Sequence, residues 1–142
     1  MGTGATQAGT AFEGAVMDFA VYFESQPDGW SVRRDDLLAR LASDWPDAKL
    51  LPPEYQNVTE MGETGWEYVE GEQHAEVWYA GSGVGLTFEC DDEDLVLRFV
   101  AWFRGLVRDE TPVEFCDGGY AFHFPIPAGA TLEDVRRLWL EN

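Results

Sequence analysis

Residues 66–90 read WEYVEGEQHAEVWYAGSGVGLTFEC, and the alternation inside this stretch decides the fold. Three runs of β-formers, Trp66 to Glu70, Ala75 to Ala80 and Val84 to Cys90, are separated by Gly71-Glu72-Gln73-His74 and Gly81-Ser82-Gly83. Short glycine-bearing links between alternating runs predict an antiparallel meander. Trp66, Tyr68 and Glu70 fall on one side of their strand. In the next strand Glu76 and Trp78 fall on one side, and Val77 and Tyr79 on the other. Val84, Leu86, Phe88 and Cys90 oppose Thr87 and Glu89 in the third. If helices cover one face of the sheet only, some of these large aromatics must face away from them.

The meander lies inside the most acidic part of the chain. Residues 50–97 hold twelve acidic side chains and no Lys or Arg, so they carry −12 of the formal net charge of −18. Adaptation to a saline or compositionally biased host would spread carboxylates over every exposed face, whereas here they are concentrated. A field of this sign repels nucleic acid and anionic lipid and attracts a basic protein. Its aromatic neighbours match the make-up of an interface centre with a charged rim.

Upstream, Ala15 to Glu24 alternates as a strand, with Asp18 and Glu24 facing out. Gln26-Pro27-Asp28-Gly29 is turn chemistry. Ser31 is placed to cap a helix whose apolar face holds Leu37, Leu38, Leu41 and Trp45, and Pro46 stops it. Residues 46–65 show no period and are long for a plain connection, so they hide a short strand or form a functional loop. Residues 1–12, rich in small side chains, read as a flexible leader, with 13–142 as one domain. Met1-Gly2 with Thr6 fits a myristoylation pattern formally, without the basic neighbours that would anchor it.

Downstream, Asp91 to Asp94 opens a helix with Leu95, Val96, Phe99, Val100, Phe103, Leu106 and Val107 repeating at three and four. Acids at its start and Arg104 and Arg108 near its end complement the helix dipole. Two more strands follow, Pro112 to Phe115 and Tyr120 to Phe124, ended by Pro125 and Pro127. Thr131 then begins a last helix, with Asp134 in the second capping-box position. The expected architecture is a single α+β domain in the order β-α-β-β-β-α-β-β-α, a mostly antiparallel sheet of five to six strands with helices mainly on one face.

Chemistry is sparse. No phosphate-binding loop, nucleophile elbow or paired-histidine zinc motif occurs. His74 falls in an expected turn and His123 in a strand, and neither has a second ligand at metal spacing. Asp91 to Asp94 lacks the alternating ligands and central glycine of a calcium loop. Cys90 and Cys116 read as buried thiols. No cofactor, metal site or catalytic residue is expected, and no apolar run is long enough to span a bilayer.

A small, strongly acidic α+β chain without a catalytic constellation resembles the immunity proteins of bacterial polymorphic-toxin and contact-dependent-inhibition systems. The likeness lies in size, charge, element order and missing chemistry. It implies a cytoplasmic, non-enzymatic antitoxin that neutralises a basic toxin domain, one that itself acts on nucleic acid. The charge and aromatic pattern puts the contact on Trp66, Glu67, Tyr68, Glu70, Glu72, Glu76 and Trp78, flanked by Asp91, Asp92, Glu93 and Asp94. Two alternatives stand beside it: a DNA-mimic inhibitor of a DNA-binding protein, and a small enzyme with a carboxylate active site. A plain scaffold whose acidity reflects its host's solvent is the fourth reading.

Overall fold

The computed structural model describes residues 17–51, 64–80, 82–118 and 121–142. The expected leader, residues 52–63 of the long connection, and Tyr120 lie outside the described residues. The elements are β1 (Met17–Tyr22), α1 (Arg34–Asp44), β2 (Lys49–Leu50), β3 (Thr64–Glu70), β4 (Gln73–Tyr79), β5 (Gly85–Cys90), α2 (Glu93–Leu106), β6 (Val113–Asp117), β7 (His123–Ile126) and α3 (Leu132–Glu141). The α+β class is as expected, and the element order departs from the expected one by a single added strand. The sheet is larger, with seven antiparallel strands in the order β2-β3-β4-β5-β1-β6-β7. The added strand is β2, concealed in the aperiodic connection because two residues are too few to show a period.

The meander β3-β4-β5 forms as its alternation requires, and β1 then inserts between β5 and β6. Phe19 and Val21 of β1 stand opposite Phe88 and Leu86 on one side, and Val21 stands opposite Phe115 on the other. These side chains, with Trp66, Val77 and Ile126, form the face on which the helices pack. Phe99 of α2 sits at its centre, stacked on Trp45 at 4.1 Å and edge-on to Tyr68 at 5.9 Å. Trp139 of α3 packs over Phe19, Phe115 and Phe122. Burying such aromatic area is the main source of stability in a chain of this size.

Local details correct the sequence reading in four places. Ser31 does not cap α1. The Val32 N–H donates to the Gly83 carbonyl and the Val32 carbonyl accepts from the Tyr79 hydroxyl at 2.7 Å. Residues 31–32 therefore belong to the β4–β5 turn, and the helix starts at Arg34 behind Arg33, without a side-chain cap. His74 lies within β4, not in a turn. Pro125 lies inside β7 instead of ending it, since β7 is an edge strand and a missing N–H can face the unpaired side. The fourth is the burial of Trp66 and Tyr68, which face the helices. The α3 capping box forms as expected, with the Thr131 and Asp134 side chains each accepting from the other's backbone N–H.

Cys90 and Cys116 are buried free thiols. Burial pushes the Cys90 thiol up to about 11. The two point to opposite faces of the sheet, since Cys90 shares the alternation of Phe88 while Cys116 stands opposite Ala20. Side chains directed to opposite faces of a sheet cannot form a disulfide.

Candidate functional site

All three helices lie on one face of the sheet, and no described helix covers the other. Side chains on that helix-free face are those that alternate away from the core, and the strand register lines them up in rows. One row runs Lys49, Glu67, Glu76, Glu89, Asp18 across β2, β3, β4, β5 and β1, each directly opposite the next. Adjacent strands lie about 4.8 Å apart, so the four acidic positions span roughly 14 Å. Like charges directly opposite one another destabilise a sheet. Glu76 has such a neighbour on both sides.

The row is not uniformly compensated. At one end Lys49 faces Glu67, and Glu67 Oε2 lies 2.9 Å from His74 Nε2. Glu76, Glu89 and Asp18 have no ion-pair partner among the described residues. The charges without an ion-pair partner among the described residues therefore lie toward the Asp18 end.

Alongside runs a second row, Gly65, Trp78, Thr87, Ala20, Cys116, His123. The Trp78 indole lies flat over Gly65, where any Cβ would overlap the ring. Gly65 is thus needed for its missing side chain. Beside Trp78 a hollow of about 250 Å³ is walled by Trp78, Tyr22, Ala20 and Val84. Farther along, the Tyr22 hydroxyl lies 3.2 Å from His123 Nε2, which is also 3.2 Å from Glu114 Oε1. The helix-free face therefore offers an acidic stripe next to an aromatic one.

The residues expected at an interface divide sharply. Glu67, Glu76 and Trp78 come together on this face. Trp66 and Tyr68 do not: they are 0% and 8% exposed, packed under α2, because their alternation points them at the helices. Glu70, on the same side as Tyr68, is neutralised. Arg98 donates to its two oxygens at 2.7 and 3.1 Å and the Tyr68 hydroxyl donates at 3.0 Å. The Arg98 guanidinium, helped by Tyr68, holds the Glu70 carboxyl below its ordinary value. Burial, reinforced by Glu70, raises the Tyr68 hydroxyl. Glu72 sits exposed in the turn between β3 and β4.

Asp91 to Asp94 act mainly on the fold. Asp91 accepts from the His74 N–H, Asp92 caps α2 by accepting from the Leu95 N–H at 2.9 Å, and Asp94 accepts from Arg136 at 2.7 and 2.9 Å. Glu93 has no such engagement among the described residues. Two residues that sequence reasoning left out of the site, Glu89 and Asp18, complete the acidic row. Alternation marked both as outward-facing, but nothing local announced that β1 would pair with β5.

The acidic row ends at a cavity of about 430 Å³ at the edge of the helical layer. It is lined by Asp18 from β1, Glu93 from α2 and Asp117 from β6, with Phe19, Phe122 and Trp139 as walls. No group of three or more His, Cys, Asp or Glu among the described residues is close enough to hold a metal ion. No described helix is long and apolar enough to cross a membrane. No protein-family model, curated protein or solved structure matches the chain.

Proposed function

We propose that this protein is an immunity protein: it acts in the cytoplasm as a non-enzymatic inhibitor, docking a basic toxin domain onto the helix-free face of its sheet. The observation that carries the reading is the row Glu67, Glu76, Glu89, Asp18. Four acids placed in mutual opposition cost stability, and a fold that keeps such an arrangement on a face that no described helix covers keeps it for a use outside the fold. The row would steer a cationic partner and fix its register. Trp78 and the hollow beside it supply the apolar anchor from which affinity comes. A toxin that works on nucleic acid has a basic substrate cleft, and filling that cleft with this face would exclude the substrate.

The test is co-expression with the toxic domain encoded beside this gene. Growth should be protected by the wild-type chain and lost with Glu76→Lys combined with Glu89→Lys, with the far-ultraviolet spectrum unchanged. Full protection by the charge-reversed variant, or none by the wild type, overturns the proposal.

A second reading, mimicry of a nucleic acid strand, draws on the same row, because four regularly spaced anions resemble a short phosphate track. It requires that duplex DNA compete with this protein for the partner while Trp78→Ala leaves binding intact. The immunity reading requires Trp78→Ala to weaken it.

A further inference from the structure

We propose that the hollow beside Trp78 receives one large apolar side chain of the partner, presented by an extended segment that carries an arginine or lysine two residues away. This rests on the docking reading above and names the kind of segment that the face takes. The hollow exists because small residues form its floor between two aromatic walls. Trp78 of β4 and Tyr22 of β1 stand at the sides, and Ala20, Ala80, Gly85 and Thr87 lie between them. Gly85 is held bare by its neighbours, since a Cβ there would lie 2.8 Å from the Tyr22 Cβ and 2.8 Å from the Val21 carbonyl oxygen. At about 250 Å³ the space falls below the roughly 300–1,000 Å³ of small-molecule sites, so a single side chain suits it better.

The register says what must accompany that side chain. Thr87 stands opposite Trp78 on one side and Ala20 on the other. Glu76, Glu89 and Asp18 lie two residues along the same three strands, in one direction and on the same face. Two residues of strand span roughly 6.5–7 Å. An extended chain laid along these strands repeats its own side chains on one face at that same spacing. An apolar side chain in the hollow therefore sets the side chain two positions away over the acidic row, while the one between them points off the sheet. Charge complementarity fixes the sign of that second side chain, since none of the three acids has an ion-pair partner among the described residues. The same acids make a second copy of this chain a poor occupant, because its own face would bring like charges together.

The probe is the capped pentapeptide Thr-Arg-Thr-Leu-Thr, titrated into the full chain and read by the Trp78 indole N–H resonance. Three relatives isolate the claim: one with citrulline for arginine, one with serine for leucine, and Thr-Thr-Arg-Leu-Thr. In the last the two side chains are adjacent and fall on opposite faces of an extended chain. The parent should shift the resonance saturably, and each relative should bind at least roughly threefold more weakly. Ala20→Leu, which fills the floor of the hollow, should abolish the response with the far-ultraviolet spectrum unchanged. Glu89→Gln should weaken the parent peptide toward its citrulline relative, whereas Glu133→Gln, exposed on α3, should change nothing. Binding of any of the three relatives as tight as that of the parent overturns the proposal, as does the lack of a saturable shift. A concentration-dependent shift without peptide would put a second copy of the chain in the hollow and overturn it as well. Because no toxin enters this experiment, its failure would leave the growth test standing and separate the two claims.

Discussion

Glu76 of β4 stands directly opposite Glu89 of β5, and Glu67 faces Glu76 from the other side. The repulsion is intrinsic to the register and no described cation sits beside Glu76 to relieve it. Glu76→Gln keeps shape and hydrogen-bonding capacity while removing the charge that meets two others. It should raise stability by a few tenths to about 1 kcal/mol in urea denaturation. Salt should raise the Tm of the wild type more than that of Glu76→Gln between about 50 and 500 mM, because exposed charges are screened over that range. Loss of stability on neutralising Glu76, with no change in salt response, would mean that the row is not strained. A gain in stability accompanied by loss of protection would mark the trade-off expected of a functional surface.

How far the sequence carried this picture depends on the distance over which each feature is encoded. The meander was legible because glycine turns and period-two alternation are local. So was the opposition of Trp78 to Val77, and so were the acids at the start of α2. Which side of β3 met the helices was not, because Trp66 and Glu67 alternate whichever face is covered. The choice is made by α2, whose Phe99 packs against Trp45, Tyr68 and Phe88. The insertion of β1 between β5 and β6 is a long-range pairing that no turn signals. It alone brings Asp18 beside Glu89. For the same reason the cavity, assembled from β1, α2, β6 and α3, has no signature in any one segment.

Trp78 gives a direct handle on the open face. Its indole rests on the bare backbone of Gly65, so Gly65→Ala should drive the ring off the sheet. The obstacle is a side chain that can swing into solvent, so the fold should survive with a modest loss. Binding should fall as it does for Trp78→Ala, and the double variant should be no worse than either single change. Additive losses in the double variant would show that Gly65 acts on something other than the indole.

The link between α2 and the turn after β1 sets a pH response. Arg108 grips Asp28 through Nη1 to Oδ2 at 2.8 Å and Nη2 to Oδ1 at 3.0 Å, while its guanidinium lies over Trp30 at 4.9 Å. Those hydrogen bonds, with one from the Trp30 N–H, lower the Asp28 carboxyl to about 2 from an ordinary value of 3.8. A carboxyl whose value is depressed on folding stabilises the native state above its unfolded value. That contribution disappears as pH falls through the folded one. Asp28→Asn should therefore be less stable than wild type at neutral pH, and the gap should close between about pH 4 and pH 2. A gap that stays constant across that interval would mean that Asp28 contributes through packing or turn geometry alone.

Arg104 poses the opposite problem, a charge placed where the fold can hardly serve it. Only 3% of it is exposed, its Nη2 donates to the Asp109 carbonyl at 3.3 Å, and its Nε and Nη1 have no hydrogen-bond partner among the described residues. Burial pulls its value below the ordinary guanidinium range. Two effects favour keeping it: the bond to Asp109 and the attraction of a cation to the end of α2, the latter worth about 0.3–1 kcal/mol. Against them stand buried donors left unmade, each costing on the order of 1–3 kcal/mol. The second group is larger, so Arg104→Met, which retains most of the aliphatic stem, should leave stability unchanged or raise it by about 1 kcal/mol. Arg104→Ala should do worse than Arg104→Met, because it adds a cavity to the removal of the charge. A clear loss of stability with the methionine variant would show that the guanidinium's bond to Asp109 and its place at the end of α2 outweigh the cost of the two unmade donors.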